Sequence, residues 1–380
     1  MRFSIIVPTY NERDNVRILA RRIAEVLAEK TDAYELWFVD DSDDDTPEIL
    51  DGLMREDPHV HVHHRNHSRG LASAVVEGFQ VAAGDYLIVM DADLQHPPEV
   101  LPKVMERLLE GIDVVIPSRF VPGGSDGGLI GFRKLISWTA RKMGQLALHR
   151  LRHVSDCTGG FFGIRRSVID GVELNPVGWK ILIEILAKGN YRTVHEIPYQ
   201  FIARRAGESK MSLREQWNYV RHLVRLIASL PEERRFYLFC LVGLLGVVVN
   251  LCIMSLLLKL TRIPVLGASV VASVAAMLHN YVWNDRVTWR ERSARKRWHK
   301  WLQLPMFMAI SAVGIAITAA VAQAFSWLHL PELIGQMAGI VLATLWNFTA
   351  NNRWTWAAKE GPNGGEDVPT VVSVTREKTL

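Results

Sequence analysis

The sequence predicts an α/β domain built on a mostly parallel sheet, followed by an all-α domain of four transmembrane helices. Three observations lead there. Short apolar runs alternate with amphipathic helical patterns through the first half of the chain. Four long apolar segments follow Pro231. The 380 residues are 49% hydrophobic yet 22% charged, with a mean hydropathy of +0.08, the mixture expected of a soluble domain joined to a membrane domain.

The strand candidates are Phe3–Val7, Tyr34–Val39, Val60–His64, Tyr86–Met90 and Val114–Ile116. Met1–Val7 is too short for a signal peptide and meets Pro8 at once. Helical patterns lie near Glu12–Ala28, Thr46–Arg55, Gly70–Ala82 and Pro98–Leu109. Strand, helix, strand at this spacing argues for parallel pairing with helices on both faces. The Gly-rich stretch Pro122–Gly128 reads as a mobile loop or lid. A basic amphipathic helix follows, about Leu129 to His149, carrying Arg133, Lys134, Arg141 and Lys142. A second, about Ser212 to Leu230, carries Arg214, Trp217, Tyr219, Arg221 and Arg225. Both read as helices lying in a membrane interface, with an ordinary solvated face as the plainer alternative.

The apolar segments are roughly Phe236–Leu258, Val265–Val282, Leu304–Trp327 and Leu333–Phe348. The connection between the second and third holds Arg286, Arg290, Arg292, Arg295, Lys296, Arg297 and Lys300, whereas the last, Leu328–Glu332, holds neither Lys nor Arg. The positive-inside bias therefore places the first domain, the middle loop and the C-terminal tail on the cytoplasmic side of the cytoplasmic membrane. Asn280-Tyr281-Val282-Trp283-Asn284-Asp285-Arg286-Val287-Thr288-Trp289 repeats as Asn347-Phe348-Thr349-Ala350-Asn351-Asn352-Arg353-Trp354-Thr355-Trp356, a duplication of about 67 residues. The expected boundaries are a first domain over 1–210, an interfacial helix and linker over 211–232, a transmembrane domain over 233–357 and a disordered polar tail over 358–380. The net charge of +4 with no basic-aromatic module argues against a nucleic-acid partner. Cys157, Cys240 and Cys252 form no C-x-x-C pair and fit a reducing compartment and membrane-buried thiols.

The chemistry concentrates after three of the strands. Asp91-Ala92-Asp93-Leu94-Gln95-His96 follows Tyr86–Met90 directly, setting two carboxylates and an amide oxygen at the mouth of a buried strand. Ligands in open α/β sheets bind outside the carboxyl ends of strands. Hard oxygen ligands of this kind suit Mg²⁺ or Mn²⁺ holding a diphosphate; a solvated acidic turn before Pro97-Pro98 is the alternative. Pro8-Thr9-Tyr10-Asn11-Glu12 and Asp40 through Asp45 emerge on the same sheet edge. Tyr10 is suited to stacking on a base, Asp40 to accepting from a base N–H, and Glu12 to bonding a ribose. Asp43, Asp44 and Asp45 are read instead as caps for the helix starting at Thr46-Pro47. His59, His61 and His63 alternate with valines on one strand face and are read as a partly exposed polar face rather than a zinc site.

Val7-Pro8-Thr9-Tyr10-Asn11-Glu12, Val39-Asp40-Asp41-Ser42, Gly70-Leu71-Ala72-Ser73-Ala74 and Asp91-Ala92-Asp93-Leu94-Gln95-His96-Pro97-Pro98 resemble the inverting family-2 glycosyltransferases. Within them the chain is most similar to dolichol-phosphate mannose synthases and related polyprenyl-phosphate glycosyltransferases, over about residues 1–230, and its second half resembles the GtrA-type membrane domain. It departs from the family in reading Asp40-Asp41-Ser42 without a Gly, and Gly70-Leu71-Ala72 where Gly-Leu-Gly is usual. The resemblance implies a GT-A fold, a Rossmann-like sheet. It implies that Asp91, Asp93 and Gln95 hold Mg²⁺ or Mn²⁺, and that Pro8, Tyr10, Glu12, Asp40 and Ala92 line the nucleotide site. It implies that Arg119, with Ser118 before it, Arg133, Ser137 and Arg204 hold the acceptor phosphate, Arg119 joining Asp91 and Asp93 in catalysis.

The expected reaction is transfer of mannose from GDP-mannose to a polyprenyl (dolichyl) phosphate in the bilayer, with inversion to a β-linked product. UDP-glucose is the alternative donor. A processive polysaccharide synthase should carry Gln-x-x-Arg-Trp near its membrane entry, and the sequence has none. A flippase or transporter with a fused regulatory domain is the rival from another class; its spans would offer Asn250, His279, Asn280, Gln323, Gln336 and Asn347 but no carboxylate.

Overall fold

The computed structural model describes residues 2–28, 30–31, 33–65, 70–127, 132–202, 213–292, 297–357 and 373–376. The chain divides into two units, one of Met1–Ser229 with Asp367–Leu380 and one of Leu230–Glu366.

In the first unit β1 (Phe3–Thr9), α1 (Val16–Leu27), β2 (Tyr34–Asp40), α2 (Thr46–Glu56), β3 (Val60–His64), α3 (Leu71–Val81), β4 (Tyr86–Val89), α4 (Leu101–Leu109) and β5 (Val114–Ser118) follow the expected alternation. Periodicity explains α1: Val16, Leu19, Ala20, Ile23 and Leu27 recur on one face and all are buried. They pack with Ile5, Leu36, Phe38 and Ile88 of the strands, each such burial contributing about 1.5–3 kcal/mol. Gly78 lets α3 lie close on the sheet, since a Cβ there would stand 2.5 Å from Ile6 Cγ2.

The remaining elements are α5 (Phe132–Ala147), β6 (Phe162–Arg165), α6 (Ile181–Lys188), β7 (Thr193–Pro198), α7 (Leu213–Ser229) and β8 (Ser373–Arg376). The sheet order is β3-β2-β1-β4-β6-β5-β7-β8. Every pairing is parallel except those of β6, which runs antiparallel to both β4 and β5. One edge of the sheet therefore gathers the carboxyl ends of β1, β2, β4, β5 and β7 together with the amino end of β6.

Two expectations change. The tail over 358–380 was expected to be disordered, but Ser373–Arg376 pairs in parallel with Thr193–Glu196, and Thr375 Oγ1 meets His195 Nδ1 at 2.8 Å. An open sheet edge gives a short β-prone segment the backbone partners it lacks alone. The rest of the tail lies outside the described residues. The helix over 211–232 was expected as a separate linker, but α7 belongs to the first unit, where Tyr219, His222, Leu223 and Leu226 are buried. Its outer face carries Trp217, Arg221, Val224 and Arg225 in exposed positions.

The second unit holds α8 (Pro231–Leu260), α9 (Val265–Trp283), α10 (Arg297–Trp327) and α11 (Glu332–Ala350), all long and apolar enough to cross a membrane. Pro231 in the first turn, followed by Glu232 and Glu233, is a favourable helix start. The duplicated motif is visible as paired geometry. Asn280 faces Gly246 and Asn347 faces Gly314. Both copies run into a π-helical turn, Asn284–Thr288 and Asn351–Thr355, closed by Thr288 Oγ1 on Asn284 Oδ1 (2.8 Å) and Thr355 Oγ1 on Asn351 Oδ1 (2.7 Å). Trp289 and Trp356 then stack at 4.4 Å with 1° between their planes. Trp289 Nε1 donates to Asn352 Oδ1 (3.2 Å) and Trp356 Nε1 to Asp285 Oδ1 (3.1 Å), a reciprocal exchange between the two copies.

Candidate active site

The site is built on the gathered edge of the first unit. At the end of β1 the ladder to β4 stops at Ile6 opposite Val89, and Pro8, which has no N–H to give, continues against Val39 alone. The strand ends therefore part here. Tyr10 hydroxyl donates to Asp43 Oδ2 (3.3 Å), Asn11 N–H to Ser42 Oγ (2.8 Å), and Glu12 N–H to Thr46 Oγ1 (3.0 Å). These bonds join the loop after β1 to the loop after β2. Glu12 Oε2 also accepts Asn15 Nδ2 at 2.6 Å. Asp40 is buried, its Oδ1 accepting the hydroxyls of Thr9 (2.8 Å) and Ser42 (2.6 Å) and its Oδ2 lying 3.5 Å from His64 Nδ1. Asp44 behaves as the expected local cap, accepting Thr46 N–H at 3.0 Å, whereas Asp43 reaches across to Tyr10.

Buried Arg65 braces this region, donating to Asp41 Oδ2 (2.5 Å), Ser73 Oγ (2.8 Å) and Glu77 Oε1 (2.9 Å). Burial outweighs Arg65 at Asp41 and raises its carboxyl above the ordinary value, while the Arg65 bond holds Glu77 below it. The histidines are structural: His59 stacks on Tyr34, His61 on Trp37, and His63 meets Glu77 at 3.2 Å.

After β4 the chain turns tightly, Leu94 adopting a left-handed φ of 61°. Asp93 Oδ1 accepts Gln95 N–H at 3.1 Å. Gln95 Nε2 donates to Ile202 carbonyl at 3.0 Å, which assigns the amide's other end, Oε1, to the acceptor role. Ala92 is buried. His96 is also buried, its Nδ1 accepting Asp91 N–H at 3.1 Å, its ring packed among Phe161, Tyr199 and Phe201. Gly160 lies against Asp91, where a Cβ would come within 2.8 Å of its Oδ2. Among the described residues no three His, Cys, Asp or Glu side chains gather for a metal ion. Two carboxylates and an amide oxygen form an all-oxygen set, which fits a Mg²⁺ or Mn²⁺.

Arg119 follows β5. Its Nε and Nη2 donate to Asp156 at 2.8 and 2.9 Å, and its guanidinium lies 5.3 Å from the Phe201 ring. Burial opposes its charge but Asp156 outweighs burial, so it is held more firmly protonated than usual. Asp156 is placed by Glu196, which accepts Ser155 N–H, Ser155 Oγ and Asp156 N–H. Ser118 is fully buried with its hydroxyl accepting Phe120 N–H, so the acceptor role expected near it rests on Arg119. Ser137 stands half-buried on α5. Arg133 is in the first turn of that helix, its side chain outside the described residues, and Arg204 lies outside them altogether.

Asp156 is the residue that sequence reasoning missed. Asp156 precedes β6, and its place at the working edge follows only from the antiparallel insertion of that strand. The Gly159-Gly160 pair just before Phe162 was the available signal.

Comparison with known proteins finds matches in both units. Residues 4–172 match the family Glycosyl transferase family 2, and residues 238–356 match GtrA/DPMS, transmembrane domain. A dolichol-phosphate mannosyltransferase of Pyrococcus furiosus is 40% identical over 94% of this chain and 100% of that protein. A dolichol-phosphate mannosyltransferase of Saccharomyces cerevisiae is 38% identical over 59% of this chain and 86% of its own length. An undecaprenyl-phosphate mannosyltransferase of Micrococcus luteus is 34% identical over 56% and 88%. With a family-2 sheet edge in one unit, a GtrA/DPMS helix set in the other and a relative aligned along nearly all of it, the chain belongs to the dolichol-phosphate mannosyltransferase family.

Proposed function

We propose that this chain is a polyprenyl-phosphate mannosyltransferase that moves mannose from GDP-mannose to a polyprenyl (dolichyl) phosphate with inversion. One observation carries the reading: the acidic loop and Arg119 share Phe201 as a neighbour. Phe201 lies 5.8 Å from the ring of His96, which holds Asp91, and 5.3 Å from Arg119. A donor diphosphate on the acidic side and an acceptor phosphate on the cationic side would then meet across that ring.

Asp91, Asp93 and Gln95 would hold Mg²⁺ or Mn²⁺, whose charge stabilises the departing diphosphate. Pro8, Tyr10, Glu12 and Asp40 would line the nucleoside, with Asp40 preset by Thr9, Ser42 and His64. Arg119 and Ser137, with Arg133 and Arg204 of the family pattern, would seat the acceptor. A phosphate monoester has a second pKa of about 6, so it arrives as an oxyanion and needs no protein base. The residues then act by positioning. By the positive-inside bias, the Arg- and Lys-rich connection after α9 would put the first unit and the tail on the cytoplasmic side, and the outer faces of α5 and α7, with Trp138 and Trp217 exposed, would rest in the bilayer interface.

The test is a panel of radiolabelled nucleotide sugars with membranes containing dolichyl or undecaprenyl phosphate. Label from GDP-mannose should enter the lipid fraction as a β-linked phosphodiester. Label entering only from UDP-glucose would overturn the donor assignment.

A further inference from the structure

We infer that the tail segment Ser373–Arg376 is a positioning strand of the active site, steadying β7 so that β7 holds both the Arg119 and the Gln95 sides; this rests on the roles given to those two residues above. β7 is the strand on which the two sides meet. Its Glu196 accepts Ser155 N–H, the Ser155 hydroxyl and Asp156 N–H. Asp156 in turn binds Arg119 through Nε at 2.8 Å and Nη2 at 2.9 Å. The chain leaving β7 clasps the acidic loop. Ile202 N–H donates to Gln95 carbonyl at 3.1 Å, and Gln95 Nε2 donates back to Ile202 carbonyl at 3.0 Å. Between these two anchors Ser125 N–H donates to Tyr199 carbonyl and Phe201 N–H to Ser125 carbonyl, both at 3.0 Å.

The sheet fixes β7 from its two flanks. On the inner flank β5 pairs with it, Val114 opposite Val194 through Ser118 opposite Pro198. On the outer flank the partner is β8, in register from Ser373 opposite Thr193 to Arg376 opposite Glu196. Thr375 Oγ1 adds a side-chain contact, 2.8 Å from His195 Nδ1 and 3.4 Å from Val194 carbonyl. The tail strand is thus set against the very stretch of β7 that carries Glu196. Without it this stretch would be an open edge, with a row of unpaired N–H and C=O groups. Backbone held from one side only is where a sheet opens locally.

β8 also differs from the other strands in how the chain reaches it. β1 to β7 follow one another within the first unit, whereas β8 comes only after the whole of Leu230–Glu366. Its hold on the edge comes from main-chain bonds, as when a separate peptide adds a strand to a sheet. The tether raises its effective concentration at that edge to about millimolar. It is therefore a removable part, and its removal should be felt on both sides of the site together. Glu196 and Asp156 carry the effect to Arg119, and Ile202 carries it to Gln95. A strand that merely covered an edge would change stability and leave the kinetics of the folded enzyme alone.

The experiment uses the full chain with a protease site inserted between Gly364 and Gly365. The protein folds with its tail and is then cut and washed in detergent. Transfer from GDP-mannose to farnesyl phosphate is measured before and after, beside amide hydrogen exchange over Thr193–Glu196. Loss of the tail should speed that exchange and raise the KM for each substrate about fivefold, the worth of one net hydrogen bond. A peptide of residues 367–380 at about millimolar should restore both, and a scrambled peptide neither. A chain ending at Glu366 should behave as the cut one. Faster exchange with unchanged kinetics overturns the proposal, and so does a loss of activity that the peptide does not reverse. Unchanged exchange in the chain ending at Glu366 overturns it as well, since β7 would then not need the strand. Failure of the unmodified chain to transfer from GDP-mannose overturns the proposed function instead.

Discussion

The two units use similar polar residues to opposite ends. In the first, Asp91, Asp93, Gln95 and Arg119 are brought to one edge of a sheet, and their supports are other residues: His96, Ile202, Asp156 and Phe120. In the second, Asn284, Asn351, Asn352 and Asp285 are closed onto the threonines and tryptophans of the duplicated motif. Chemistry needs polar groups held by something else and aimed outward. A membrane scaffold needs them consumed locally, because an unsatisfied polar group in hydrocarbon is expensive. The duplication is thus a structural device, its Asp285 carboxylate taken up by Trp356 Nε1 of the other copy.

That contrast is broken most severely at Asp93. Asp93→Ala should lower transfer by at least 10²–10³-fold, the scale for removing a group that stabilises developing charge. Chelation should match it in the unmodified chain, with Mg²⁺ or Mn²⁺ restoring activity. Full activity in chelator would exclude the metal role.

Next comes the pairing of Arg119 with Asp156. Asp156→Ala strands a buried guanidinium, which should cost about 3–5 kcal/mol of stability and weaken acceptor use. Equilibrium denaturation of the detergent-solubilised chain, followed through the first unit, measures it. In the second unit Trp356→Ala removes a fully buried ring, its stacking partner's contact and a hydrogen bond. It should cost about 3–5 kcal/mol in that unit while leaving transfer to a short soluble acceptor unchanged. A fall in kcat with such an acceptor would mean that the second unit shares in the chemistry.

Arg133→Ala and Arg204→Ala should each raise the acceptor KM by the equivalent of about 1.5–3 kcal/mol, the value of a charged hydrogen bond, with GDP-mannose KM unaltered. Trp217→Ala is the smallest change. It should loosen the first unit's attachment to vesicles without altering kcat, since interfacial anchoring adds no contact to the reaction.

Much of this was legible in the sequence. The strands β1, β2, β4 and β5 are largely apolar runs bounded by polar turns, and the motif residues lie at their ends, so the parallel logic placed Asp91 and Asp40 on one edge. The four spans and the repeat were equally plain. The strand β6, Phe-Gly-Ile-Arg, and β7, Thr-Val-His-Glu-Ile-Pro, are short and chemically mixed, and only their neighbours make them strands. Asp156 depends on that insertion, so its only local signal is the Gly159-Gly160 pair ahead of β6. The tail strand needs the open flank of β7, which a linear reading does not show.

The central claim is that the reaction belongs to the strand-end edge of the first unit, with the membrane unit holding the enzyme at its lipid. It is tested most directly by a chain that stops at Ser229 and is rejoined through a short flexible linker to residues 367–380, which restores β8 on the sheet edge. Given GDP-mannose, Mn²⁺ and farnesyl phosphate in detergent, this protein should form mannosyl phosphate farnesol at a rate near that of the full chain, and should lose that activity on Asp93→Ala. A folded form that binds GDP-mannose but transfers to no concentration of farnesyl phosphate would contradict the account and place part of the active site in the membrane helices.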